Sequence, residues 1–204
     1  LDDLAGQSRI TQSVMLRASP SVDPHTHHKT TTGILDSKFG FAIDTGDAAK
    51  AVQLASAASN LDLTGLHFHL GSPIFELEPY STAMEVVLAF ANDMKSEGLN
   101  LRDLSPGGGF AISYTRSQEP PPIAQYAETI VRSLEEGCAR FEIDLPHLII
   151  EPGRAISGPA GVALYSVGTV KDIPGVRRYV SVDGGMGDNI RPALYEAVYE
   201  AMLA

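Results

Sequence analysis

The stretch HLIIEPGRAI, residues 147–156, runs apolar through Leu148, Ile149 and Ile150 and then presents Glu151, Pro152, Gly153 and Arg154 in succession. An acid and a base on either side of two chain-bending residues admit two readings. They could form a local ion pair, which contributes little at a surface. Alternatively Glu151 faces a cofactor and Arg154, with its planar fork of donors, captures an anion. Three other places carry residue types able to do chemistry. His69 closes the run LTGLHFHL (63–70), and an imidazole there is either a hydrogen-bonded structural group or a flat ring able to lie on a planar cofactor. Gly107, Gly108 and Gly109 in SPGGGF (105–110) are either a tight turn or, placed between a strand and a helix, a row of backbone N–H groups open to a phosphate. The segment DGGMGDNIRPALY (183–195) reads as a turn followed by a helix start with Pro192 in its first turn, an account that leaves Asp183, Asp188 and Arg191 without a role. The histidines of DPHTHHK (23–29) are of a type able to bind a transition metal. Without a companion carboxylate or cysteine spacing they read as a solvated loop, so no metal site is expected.

These residues need a frame to hold them. SVMLRA (13–18), LTGLHFHL (63–70), LRDLSPGGG and PHLIIEPGR read as strands, and between them GDAAKAVQLASAASN (46–60), PYSTAMEVVLAFANDMKSEG (79–98) and IAQYAETIVRSLEEGCARF (123–141) carry helical periodicity. Alternating strands and helices predict an α/β fold with a parallel sheet, either open or closed as a barrel. His69, the glycine run and Glu151 then gather at the C-terminal ends of successive strands, the rim where parallel barrels keep their active sites. After Arg154 the alternation stops. GPAGVALYSVGTVKDI and RRYVSVDGGM, with no helix between them, predict an antiparallel region, and RPALYEAVYEAML predicts a closing helix. SQEPPPIAQ, with its three prolines, reads as a stiff loop before a helix.

Composition narrows the partners. A formal net charge of −10 over 204 residues argues against a nucleic-acid or anionic-membrane surface and leaves small-molecule chemistry. The lone Cys138 cannot form an internal disulfide, no apolar run is long enough to span a membrane, and a reduced, cytoplasmic setting is expected. The opening LDDLAGQSRI lacks a signal-peptide pattern and reads as a chain beginning inside a larger one.

Taken in order, VDPHTHHKTTTGILDSKFGF (22–41), GLHFHLGS (65–72), SPGGGF, IIEPGRAISGPAG (149–161) and VSVDGGMGDNIRPALY (180–195) resemble the diaminopimelate branch of the pyridoxal-phosphate-dependent decarboxylases, a family that also contains the ornithine and arginine enzymes. The resemblance implies the second half of a parallel (β/α)8 TIM-type barrel over residues 1–158, running into the start of a C-terminal β domain over residues 159–204. It implies pyridoxal 5′-phosphate as cofactor, with His69 stacked on the pyridine ring and Glu151 paired with its nitrogen. Ser72 and Gly107, Gly108 and Gly109 would hold the phosphate, with Arg154 as an anion ligand. Arg191 and Tyr195 would contact the substrate, and the implied reaction is decarboxylation of meso-2,6-diaminopimelate to L-lysine and CO2. A homodimer is implied likewise.

The departures from the family pattern are Pro73 in place of the usual glutamine, Gly187 in place of asparagine, and the absence of a YAxKAN-like lysine motif. Lys29, Lys38, Lys50, Lys95 and Lys171 are the only lysines, and none has a matching context. The expectation is therefore a fragment that cannot hold the cofactor covalently and whose open barrel edges make it poorly soluble. Two alternatives stay open: a noncatalytic homologue acting as a binding or regulatory protein, and an ornithine/arginine-type enzyme. An alanine-racemase-like enzyme shares the barrel and cofactor but lacks the EPGR and DGGM motifs.

Overall fold

The computed structural model describes residues 1–24, 32–33, 35 and 37–203. The chain opens with helix α1 (Asp2–Gln7), then strand β1 (Gln12–Ser19), the short β2 (Phe41–Ala42), α2 (Asp47–Ala57), β3 (Leu61–His67), α3 (Glu78–Asp93), β4 (Asp103–Gly107), α4 (Ile123–Arg140) and β5 (His147–Ile150). Strand and helix alternate as the periodicity predicts, and every pairing in the five-stranded sheet β2-β1-β3-β4-β5 is parallel. The sheet is an arc with β2 and β5 as its edges.

Register explains how one sheet carries both a core and a chemical face. Leu16 pairs with Leu66, Leu66 with Leu104 and Leu104 with Leu148, so four leucines form one row across four strands. That row packs under the helices, with Leu66 and Leu104 fully buried. Side chains alternate along a strand, so the next row turns to the opposite face. It consists of Arg17, His67 and Ser105, paired in the same register.

The helices seal the leucine row. α3 buries Tyr80, Ala83, Met84, Val87, Leu88 and Ala91, and α4 buries Tyr126, Ile130, Leu134 and Cys138, each set at the three-to-four-residue spacing of a single helical face. Pro79 lies in the first turn of α3, and Pro122 caps α4 after the three-proline loop. A Cβ at Gly137 would sit 2.4 Å from Leu88 Cδ1, so glycine lets α3 and α4 approach closely.

Beyond β5 the chain turns into the short helix α5 (Gly153–Ser157), then the antiparallel hairpin β6 (Val167–Ile173) and β7 (Arg177–Val182), and finally α6 (Arg191–Tyr195). The hairpin agrees with the predicted change to antiparallel pairing. Two readings need correction. Helix α5 was not foreseen, so Arg154 sits in a helix instead of ending a strand. The closing helix stops at Tyr195, where Glu196 takes a left-handed φ of 54°. Tertiary contacts compete with its continuation: Tyr199 packs edge-on against Tyr114 at 5.4 Å, and Glu200 accepts a hydrogen bond from the Arg116 backbone at 2.7 Å. Among the described residues no helix is long and apolar enough to cross a membrane.

Candidate active site

Three strand ends converge at one rim. Gly107 ends β4 with φ 72°, and a Cβ there would lie 2.6 Å from His69 Nδ1; at Gly108 a Cβ would lie 2.0 Å from the Glu151 carbonyl oxygen. Glycine is required because the neighbouring chains come this close. Backbone hydrogen bonds fix the junction: Glu151 N donates to Gly107 O at 2.9 Å, and Gly108 N donates to His69 Nδ1 at 3.3 Å. His69 Nδ1 is therefore the acceptor, and a neutral ring carries its proton on Nε2. The predicted cluster of His69, Gly107, Gly108, Gly109 and Glu151 is thus assembled.

Several details differ from the sequence reading. His69 lies two residues past the end of β3, which closes at His67. The glycine run does not lead straight into a helix, because residues 111–122 intervene before α4. It is supported from below instead. The Tyr80 hydroxyl donates to Gly108 O at 2.8 Å, and the Tyr126 hydroxyl donates to Ile74 O at 2.6 Å while accepting from Ala111 N at 3.3 Å. These rings pack with Phe110 in a buried aromatic group, and burial pushes the Tyr80 phenol well above its ordinary pKa and raises that of Tyr126. Glu151 and Arg154 do not pair with each other: Glu151 Oε1 lies 3.0 Å from His67 Nε2, and Arg154 turns to Ser72.

Electrostatics around the imidazoles favour their neutral forms. Burial lowers the pKa of His67, with Arg17 adding to the effect and Glu151 opposing it. Burial likewise lowers His69, reinforced by Arg17 and His67 and opposed by Glu151. Arg17 itself is lowered by burial and held up by Glu151. Arg17 and His67 were missed in the sequence. Strand alternation was the available signal, since His67 and His69 lie two residues apart and Arg17 lies near the C-terminal end of β1.

A second cluster lies beside the first. Ser72 Oγ accepts from Arg154 Nε at 3.1 Å and Nη2 at 3.0 Å, and Arg154 also donates to the Tyr114 hydroxyl. Arg154 Cζ stands 5.6 Å from the Tyr114 ring centroid, and Arg191 Cζ approaches the same ring at 5.4 Å and Tyr195 at 5.7 Å. One aromatic ring thus collects two cations through its negative face. Arg191 Nε is buried without a hydrogen-bond partner among the described residues. A buried donor left unpaired costs about 1–3 kcal/mol, and an anion brought to this cluster would relieve that cost. Arg154, Ser72, Arg191 and Tyr195 are therefore brought together, with Tyr114 as an unforeseen centre. Asp183 and Asp188 find structural roles: Asp183 accepts from Ser166 N at 2.8 Å beside the hairpin, and Asp188 from Gly185 N at 2.8 Å within its turn.

A cavity of about 1080 Å³ lies elsewhere, between the β2 edge and α2, lined by Leu16, Phe41, Ala51 and Leu54 among others. Its lining includes none of His69, Gly107, Gly108, Gly109 and Glu151, and its charged members are Asp2 and the exposed Asp47–Lys50 pair. No group of three metal-ligating side chains occurs among the described residues. His25, His27 and His28 lie outside them.

The family model for the pyridoxal binding domain of pyridoxal-dependent decarboxylases matches residues 1–158. The chain belongs to this family. Diaminopimelate decarboxylase of Bacillus subtilis is 42% identical over 205 residues, covering 100% of this chain and 47% of that protein. Diaminopimelate decarboxylase of Mycobacterium tuberculosis is 41% identical over 212 residues, again covering 100% and 47%. Among solved structures, diaminopimelate decarboxylase from M. jannaschii in complex with L-lysine superposes with a TM-score of 0.86 at 33% identity, over 98% of this chain and 45% of that one. The Helicobacter pylori enzyme complexed with L-lysine gives 0.81 at 30%, over 98% and 47%. The chain spans about half the length of the relatives it matches. Its parallel arc is accordingly part of a TIM-type barrel.

The residues present fit the pyridoxal phosphate of this family. At Gly107 and Gly108 the missing Cβ lets the backbone close against His69 and Glu151, so a neutral imidazole and a carboxylate stand together at the strand ends beside the Ser72–Arg154 pair.

Proposed function

We propose that this chain forms the cofactor-binding part of a diaminopimelate decarboxylase, a carboxy-lyase converting meso-2,6-diaminopimelate and a proton to L-lysine and CO2. Pyridoxal phosphate supplies an electron sink for the pair left behind when the carboxylate departs. In this reading Gly107, Gly108, Gly109 and Ser72 line the phosphate site, and Arg154, already on Ser72, adds charge there. The His69 ring lies against the cofactor plane. As a neutral imidazole it adds no positive charge to compete with a protonated ring nitrogen. Glu151 keeps that nitrogen protonated, because a carboxylate beside a basic nitrogen favours its charged form.

The observation that carries the reading is the junction of β3, β4 and β5, where Glu151, His69 and the glycine run touch through the hydrogen bonds described above. Substrate choice rests on the cations around Tyr114. Diaminopimelate carries a second carboxylate that lysine, ornithine and arginine lack, and Arg191, with its unpaired buried Nε, is suited to bind it. A cytoplasmic homodimer completes the proposal.

Protein produced from the whole reading frame should release CO2 from meso-diaminopimelate in preference to ornithine or arginine. Arg191→Ala should raise KM for diaminopimelate by roughly 10–100-fold, the loss of a charge-assisted hydrogen bond of about 1.5–3 kcal/mol, while cofactor content stays at the parent level. A preference for ornithine, or an unchanged KM in that variant, would overturn the substrate assignment.

A further inference from the structure

The pairing of Glu151 with His67 has no part in the roles assigned so far. Glu151 begins the loop after β5, and its side chain is 54% exposed, while the His67 side chain on β3 is 17% exposed. A long carboxylate on a loop samples many rotamers, whereas an imidazole held in a strand row between Arg17 and Ser105 does not. The 3.0 Å contact between His67 Nε2 and Glu151 Oε1 ties the mobile group to the fixed one.

We propose that His67 is a positioning residue: its Nε2–H holds Oε1 of Glu151, leaving Oε2 to face the ring nitrogen of pyridoxal phosphate. The inference rests on the cofactor reading above and assigns a device within it. The groups facing this pair are Arg17 on β1, His69 after β3 and Glu151 itself, and burial favours a neutral His67 in their midst. Neutrality matters chemically. A neutral donor orients the carboxylate without cancelling the negative charge that must be felt at the ring nitrogen, whereas a cation there would weaken it. Preorganising such a group with a fixed neighbour is the general means by which a reacting site avoids reorganisation during the reaction.

The test uses protein from the whole reading frame, loaded with cofactor labelled with ¹⁵N at the ring nitrogen, and reads protonation of that nitrogen from its NMR shift near neutral pH. In the parent the nitrogen is protonated. His67→Leu should move the shift toward the deprotonated value and lower kcat by roughly 10–100-fold with little change in KM, the size typical of losing an orienting partner. His67→Gln, which keeps an N–H donor near the same place, should recover most of both. Glu151→Gln serves as the reference for the cofactor reading. If Glu151→Gln moves the shift and His67→Leu does not, His67 has no positioning role and the cofactor reading stands. If His67→Gln is as impaired as His67→Leu, the role is overturned as well. If neither Glu151→Gln nor His67→Leu moves the shift, the cofactor reading itself fails.

Discussion

The parallel arc and the segment after Ser157 treat their apolar residues in opposite ways. Within the arc Val52, Leu66, Phe68, Met84, Val87, Leu88 and Leu104 are all at 0% exposure. In the later segment Val162 is 88% exposed, Leu164 81%, Val176 67% and Met186 66%. The arc has its own core, sealed between sheet and helices, and the hairpin has no covering layer among the described residues. The functional groups divide along the same line. His69, Glu151 and the glycine cradle hang from strand ends anchored in the core. Arg191 and Tyr195 come from the uncovered segment and reach the site through Tyr114. On the proposed reading, the cofactor end is preorganised by the fold, and the substrate end depends on a few side-chain contacts made late in the chain.

Glycine substitutions should break this contrast most sharply. Gly108→Ala would set a Cβ 2.0 Å from the Glu151 carbonyl, a backbone clash that no side-chain rotation relieves, while Gly185→Ala meets nothing within 4 Å. Urea denaturation should show the first destabilised by about 3 kcal/mol or more and the second changed by less than about 0.5 kcal/mol. Cofactor binding should be lost only in the first.

Core truncation comes next. Leu66→Ala removes a fully buried side chain from the leucine row and should cost about 2–5 kcal/mol, against less than about 0.5 kcal/mol for Leu164→Ala, which is 81% exposed. Equal losses at both positions in thermal unfolding would show that the segment after Ser157 is covered as fully as the arc.

A subtler change tests the support beneath the cradle. Tyr80→Phe removes the donor to Gly108 O and leaves that carbonyl buried without its partner, which should cost about 1–3 kcal/mol. The accompanying loss of pyridoxal phosphate affinity, followed by fluorescence titration, should exceed any change in KM for the amino acid.

Acid should separate the regions with the smallest effect. Burial depresses His67 and His69 from their ordinary value of 6.5, so the unfolded chain binds protons more readily than the folded one. Stability of the arc should accordingly hold above pH 6.5, decline as pH falls below it, and level off beneath the folded-state values. His69→Gln should flatten this decline in thermal unfolding. The chain after Glu151 has no histidine, so hydrogen exchange in the hairpin should lack this component.

How much of this was legible beforehand depended on the range of each interaction. The alternation of strands and helices follows from local periodicity, and the arc reproduces it. Glu151, His69 and the glycines were legible because each falls where a strand runs out, and strand ends in a parallel sheet lie together. His67 needed one further step, the period of two that puts it on the face of His69 and away from Leu66. Tyr114 gave no local sign: its partner Arg154 is 40 residues away, and Ser72 meets Arg154 across 82. Helix α5 was hidden because Pro152 and Gly153 read as a break, although proline is well tolerated just ahead of a first turn. The closing helix was overextended for the opposite reason, since its good local periodicity is overridden at Glu196 by contacts with Tyr114 and Arg116.

The central claim is that Glu151 faces the ring nitrogen of pyridoxal phosphate at the junction of β3, β4 and β5. A crystal structure of the protein from its whole reading frame, grown with the cofactor, tests it most directly. The phosphate should lie at Gly107, Gly108 and Gly109, the His69 ring on the pyridine face, and a Glu151 oxygen within hydrogen-bond distance of the ring nitrogen. A phosphate bound elsewhere, or a Glu151 carboxylate turned to solvent with the ring nitrogen on another group, would contradict it.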